Sequence, residues 1–125
     1  MRAVKSEGTL PEKALGEILV DLGVTYQTHV GDLPGSPDAL ASEYGIALFV
    51  HGCFWHGHVG CRRSALPKSH RRFWSTKIAS NQRRDATAAR RLRRKGYHVL
   101  TIWACQLKNT ERIRNRISLA LTRAT

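Results

Sequence analysis

Acidic residues are scarce in this chain. Nine Asp and Glu stand against twenty-one Lys and Arg, a formal charge of +12 with a pI near 10.7. No apolar stretch approaches the ~18 residues that cross a bilayer. The N-terminal MRAVKSEGTLPEK has no apolar segment of the kind a secretory signal needs. These absences argue against a membrane span and set the expectation of a cytoplasmic protein. Cysteine is limited to Cys53, Cys61 and Cys105; an odd, small number disfavours a disulfide framework and favours metal ligation or burial. No repeat and no low-complexity linker divides the 125 residues, so a single domain spanning 1–125 is expected. Its core must be modest, and a structural metal would help to hold it.

What is abundant is positive charge, unevenly placed. Residues 62–95 carry thirteen Lys and Arg and one acid, Asp85. A solvated surface is the plain explanation of such a block. The other is a polyanionic partner, from which a basic face gains by releasing counterions, and a pI this high points to nucleic acid.

Hydrophobic spacing sets out the elements. Thr9 to Glu12 reads as a capping box, and Leu15, Ile18, Leu19 and Leu22 recur at helical spacing before Gly23. Residues 24–30 (VTYQTHV) look like a strand, GDLPGSP is a turn, and residues 38–40 form a brief strand. The unbroken apolar run IALFV (46–50) predicts a strand buried on both faces. Residues 51–69 are aperiodic and rich in Gly, His and Cys. A long basic helix over 71–95, a strand over 97–103 and a closing helix over 109–121 complete the α/β order. A helix between two apolar strands is a crossover, which predicts that those strands pair in parallel.

The aperiodic segment carries the chemistry. Cys53, His58 and Cys61 place three zinc-type donors within nine residues, with Gly52, Gly57 and Gly60 between or beside them to let the backbone turn tightly. Zinc takes four such donors in a closed structural site. The remaining thiol, Cys105, follows the strand over 97–103, whose end would adjoin the loop. His56 is an alternative to His58 as the imidazole donor. Asp38 precedes the buried strand, where a carboxylate suits Mg²⁺ against a phosphate. His51 and His56 are both candidates for general base, and Asp85 for the carboxylate that orients an imidazole. Phe54 and Trp55 cannot both enter one core from a short loop. At least one should be exposed, and in a basic protein an exposed aromatic suits stacking on bases, with Trp74 as a partner.

At these residues the chain resembles the very short patch repair (Vsr) DNA mismatch endonucleases, through MRAVKSEGTLPEKAL, LPGSPD, FVHGCFWHGH followed by Cys61, RRFWSTKIASNQRRD and GYHVLTIWACQL. The resemblance spans roughly residues 1–107. It implies a restriction-endonuclease-like mixed sheet flanked by helices, with a structural zinc site. It also implies a Mg²⁺-dependent nick in double-stranded DNA, 5′ to the thymine of a T·G mismatch left by deamination of 5-methylcytosine. Residue by residue it makes Asp38 the Mg²⁺ carboxylate and Val50 a donor through its backbone carbonyl. His51 and His56 become the catalytic histidines, with His56 the base and Asp85 its orienting acid. Glu12 helps to order water at the metal. Cys53, His58, Cys61 and Cys105 become the zinc ligands, which decides for His58 over His56. Phe54, Trp55, Trp74 and Met1 fall where the family inserts side chains into DNA. The chain departs from the pattern at Val50, where some members carry Thr, at an extra residue between His58 and Cys61, and along residues 62–69. Fuller members carry a further N-terminal helix ahead of the position of Met1. Two other functions fit the same residues: a related nickase or endonuclease acting on methylated or unmodified DNA without a mismatch, and a non-catalytic zinc-stabilised DNA-binding module. Nicking needs only one active site, so a monomer is expected.

Overall fold

The computed structural model describes residues 10–124. Thr9 of the capping box and Met1 of the DNA-inserting set lie outside the described residues.

Helix α1 (Leu10–Asp21) carries Pro11 and Glu12 in its first turn, where a missing N–H and a negative charge both suit the helix start. Leu15, Ile18 and Leu19 are buried. The helix ends as Val24 N–H returns to the Leu19 carbonyl at 2.9 Å. Val24 is spent on that closure, and His29 turns away with φ of 51°. The strand expected over 24–30 is therefore only β1 (Gln27–Thr28), an exposed pair at the sheet edge. Strand β2 spans Ala39–Ala41 and β3 spans Ile46–His51. The long helix α2 covers Arg71–Arg94, β4 covers His98–Trp103, and α3 covers Thr110–Ala124.

The four strands form one mixed sheet in chain order. β1–β2 and β2–β3 are antiparallel, and β3–β4 is parallel with His51 opposite Trp103. Alternation along β3 divides the core. Ile46 and Leu48 face a cluster with Leu15, Ile18 and Leu19 of α1 and Ile113 and Ile117 of α3. Ala47 and Phe49 face Leu92 of α2. The sheet thus has α1 and α3 on one side and α2 on the other. Asp38 does not begin β2 as expected; it stands one residue before the ladder, with its side chain turned to the neighbouring strand.

The turn between β1 and β2 crosses α2 at Gly35. A Cβ there would lie 2.7 Å from Ala88 Cβ and 3.2 Å from the Phe49 ring, and its φ is +75°. No side chain fits that crossing, which holds the Pro37-Asp38 corner close to α2. No described helix is long and apolar enough to cross a membrane.

Candidate active site and metal centre

The site is built at the C-terminal ends of the parallel pair. Asp38 Oδ2 accepts a 2.7 Å hydrogen bond from Val50 N–H. In an extended strand the N–H and C=O of one residue point to the same side, so the Val50 carbonyl is turned to the Asp38 side. β3 runs past its last β2-paired residue, Leu48, by three residues. Burial pushes the Asp38 carboxyl up from its usual range; the Val50 amide, His29, Glu12 and His56 pull the other way without overcoming it. A carboxylate held at such a cost gains from a cation beside it.

One residue beyond Val50, His51 returns to the α2 side and is 8% exposed. His56 lies flat on it, ring centroids 3.9 Å apart and 6° from parallel. Asp85, on α2, accepts from His56 Nδ1 at 2.7 Å and stands 4.0 Å from His51 Nδ1. Burial, then the neighbouring His56, pulls His51 down to about 4, with Asp85 opposing. His51 is therefore neutral near pH 7. These residues and Asp38 line one cleft of about 1140 Å³ between α2 and the sheet.

Cys53, His58, Cys61 and Cys105 converge as expected, their donor atoms all within 4.8 Å of one another. Cys105 reaches the cluster from the short 3-10 turn Ala104–Lys108 after β4, because the parallel register sets the ends of β3 and β4 side by side. The thiols favour ionisation at one of their number and oppose it at another. Burial and then Cys53 and Cys61 push Cys105 up to about 11. Cys61 is lowered although burial resists it, through the Arg63 amide, the two other thiols and the Arg63 charge. A cation would relieve this conflict, and the soft donor set suits a metal ion. His56 is left out of this cluster and points to Asp85 instead; His58 is the imidazole that stands with the three thiols.

The two centres share one loop, and α2 straps it down. Asn81 Nδ2 donates to the Trp55 carbonyl at 2.9 Å, and Gln82 Nε2 donates to the Gly57 carbonyl at 3.0 Å. Gly57 has φ of +64°, and a Cβ there would lie 2.7 Å from Ile78. Phe54, Trp55 and Trp74 meet edge to face, with centroids 5.3 to 5.5 Å apart. Each is half-buried, so the three shield one another, and it is Phe73, beside Trp74, that stands 58% exposed.

Sequence reasoning passed over three residues here. His29 lies with Glu12 and Asp38 in a third cluster whose donor atoms fall within 4.8 Å; read as part of a strand, it gave no sign. Trp103 stacks on His58 with centroids 4.2 Å apart and rings 7° from parallel, and Asn81 anchors the loop. Only the parallel register and the helix pairing reveal these two.

A solved structure described as the catalytic domain of the homing endonuclease I-Bth0305I shares the fold, with a TM-score of 0.67 and 22% sequence identity over 94% of this chain and 98% of that one. The type II nicking enzyme V.XorIIP of Xanthomonas oryzae pv. oryzae is 42% identical over 117 residues, 94% of this chain and 85% of the relative. The DNA mismatch endonuclease Vsr of Escherichia coli K12 is 37% identical over 113 residues, 90% and 72% of the two chains. Together with the site, these relatives define a DNA endonuclease, which sets aside the non-catalytic module. A family profile described as DNA mismatch endonuclease Vsr matches residues 1–63. The chain belongs to the Vsr family.

Proposed function

We propose that this endonuclease nicks one strand of double-stranded DNA 5′ to the thymine of T·G mismatches arising from 5-methylcytosine deamination, acting as a single-domain monomer with catalytic Mg²⁺ and structural Zn²⁺. The observation that carries the chemistry is the His56–Asp85 bond of 2.7 Å beneath the neutral, stacked ring of His51. A carboxylate can only accept, so the proton of that bond sits on His56 Nδ1, and Nε2 is left as the basic nitrogen. His56 is then the general base toward an attacking water. The neutral His51 stacked on that ring offers its own nitrogen as a polar contact in the cleft. Asp38 and the Val50 carbonyl would hold Mg²⁺, which when bound polarises the phosphoryl group and stabilises the leaving oxygen. Glu12 stands beside Asp38 to order water. Phe54, Trp55 and Trp74 present a ring cluster that suits stacking beside an unpaired or mismatched base.

The relative named as a mismatch endonuclease supports the mismatch as trigger. The 42% identical relative is named only as a nicking enzyme, and this favours a second reading in which no mismatch is needed. Nicking assays on T·G, matched and methylated duplexes of one sequence separate the two. The first reading expects Mg²⁺-dependent nicking of the T·G duplex alone, lost by at least about 10²-fold in His56→Ala. Equal nicking of the matched duplex would reject the mismatch requirement.

A further inference from the structure

The cluster of Glu12, His29 and Asp38 joins an element from each part of the sheet margin. Glu12 is in the first turn of α1, His29 follows β1, and Asp38 precedes β2. His29 Nε2 stands 3.6 Å from Glu12 Oε1, and donor atoms of all three fall within 4.8 Å of one another. An octahedral ion with bonds of about 2.1 Å separates its neighbouring donors by roughly 3 Å and its opposite donors by roughly 4.2 Å. The 3.6 Å between His29 and Glu12 falls between these two spacings, and the Asp38 carboxylate lies near enough to join the same set. An ion pair between His29 and Glu12 alone would not need Asp38 so near.

His29 reaches this place through a left-handed backbone, φ 51°, which a residue with a Cβ adopts at a cost of roughly 1–3 kcal/mol. Two backbone bonds lock the corner: His29 N–H to the Asp38 carbonyl and Val30 N–H to the Pro37 carbonyl, each 3.4 Å. The same turn that ends β1 thus sets the imidazole beside the Asp38 carboxyl. His29 opens on a different cavity from the one holding His51 and His56, lined by Glu12, Glu17 and Tyr26. Asp38 itself lines the cleft of His51 and His56, so the cluster stands between the two cavities.

We propose that His29 is a direct donor to the divalent cation held at Asp38, with Glu12 as the adjoining acid, and that its imidazole turns the site from Mg²⁺ toward Mn²⁺. Carboxylate, carbonyl and water suit Mg²⁺, whereas a nitrogen donor favours first-row transition ions. The inference rests on the reading of Asp38 as a metal ligand.

The test uses zinc-loaded protein, so that the thiol cluster is filled, and Mn²⁺ as the probe. Binding is followed by the electron paramagnetic resonance of free Mn²⁺, and nitrogen coordination by spin-echo modulation of the bound ion, with histidine labelled by ¹⁵N to identify the donor. Wild type is expected to show histidine-nitrogen modulation and to bind Mn²⁺ more tightly than Mg²⁺ in competition. In His29→Asn, chosen because asparagine tolerates a left-handed backbone, Mn²⁺ affinity should fall at least about tenfold. The modulation should weaken, and Mg²⁺ affinity should change less. No histidine-nitrogen modulation in wild type, or affinity and modulation unchanged in a folded His29→Asn, would overturn the assignment. Asp38→Ala separates the two readings. If it binds Mn²⁺ like wild type, the Asp38 reading itself fails. If it loses the ion while His29→Asn keeps both affinity and modulation, only the role of His29 falls.

Discussion

At the scale of single residues, the site is costly to keep. Asp38 is the clearest case. Its carboxyl is raised by burial, so the fold favours the protonated form. The stability this contributes is present at low pH and is lost as pH rises through the folded value, which lies above 3.8. At neutral pH the unneutralised charge is a standing penalty. Asp38→Asn keeps an oxygen to accept the Val50 N–H and removes the charge. It is expected to raise the unfolding free energy of the zinc-loaded protein without Mg²⁺, read from urea titration, by about 0.5–1 kcal/mol at pH 7, while nicking is lost. The gain should shrink toward pH 3, where aspartate is protonated in both states. A variant no more stable than wild type at pH 7 would mean that the Val50 bond already compensates the buried charge. That Asp38, His51, His56 and Asp85 line one cleft could be anticipated from the sequence, through their combined pattern and the family resemblance rather than from any one of them. His29 could not be anticipated. Its part depends on one backbone angle that no spacing records.

Among elements, the helix α2 and the loop after β3 depend on each other. The loop forms short turns of its own, such as His58 N–H to the Cys53 carbonyl and Ser64 N–H to the Cys61 carbonyl, but no strand or long helix; Asn81, Gln82 and Asp85 of α2 tie it to the rest of the fold. Removing one thiol in Cys105→Ser tests the clamp. One zinc per chain in wild type, measured by elemental analysis, should fall well below one in the variant. Nicking should fall with it, since His56 lies between Cys53 and His58 in the chain. DNA binding through α2 should persist. Zinc retained at one per chain in Cys105→Ser would remove Cys105 from the ligand set. The elements themselves were largely readable. An unbroken apolar run marked β3, and a mostly apolar stretch marked β4. The latter reads as a buried strand, but only Leu100 and Ile102 are buried because β4 lies at the sheet edge. The crossover rule fixed the parallel pairing of the two, which in turn placed Cys105 beside the loop. The strand over 24–30 was overread because its apolar and aromatic residues serve the end of α1 and the packing of Tyr26 against the core rather than a ladder. The aromatic trio was only half legible: sequence pointed to exposure, and edge-to-face packing moved it to Phe73.

Over the whole molecule, charge governs the encounter with DNA. The basic side chains of α2 flank the cleft, with Arg84, Arg90 and Arg93 lining it and Arg83 and Arg91 on the adjoining surface beside Pro34 and Gly35. Duplex affinity should fall steeply with salt. Arg83→Ala and Arg91→Ala are each expected to reduce the slope of log K against log salt by about 0.9, irrespective of base sequence. A slope left unchanged by both would move the DNA path elsewhere. The parallel pairing of β3 and β4 has one more consequence, in time rather than in space. Cys53, His58 and Cys61 lie close together in the chain, whereas Cys105 lies beyond α2 and meets them only where β4 docks beside β3. A nascent or refolding chain can offer three donors early, but a complete tetrahedral set exists only once the crossover has closed. Tight metal capture at these four donors would therefore mark the completion of folding, and it would come when His51 and His56 first stand beside the cleft under α2.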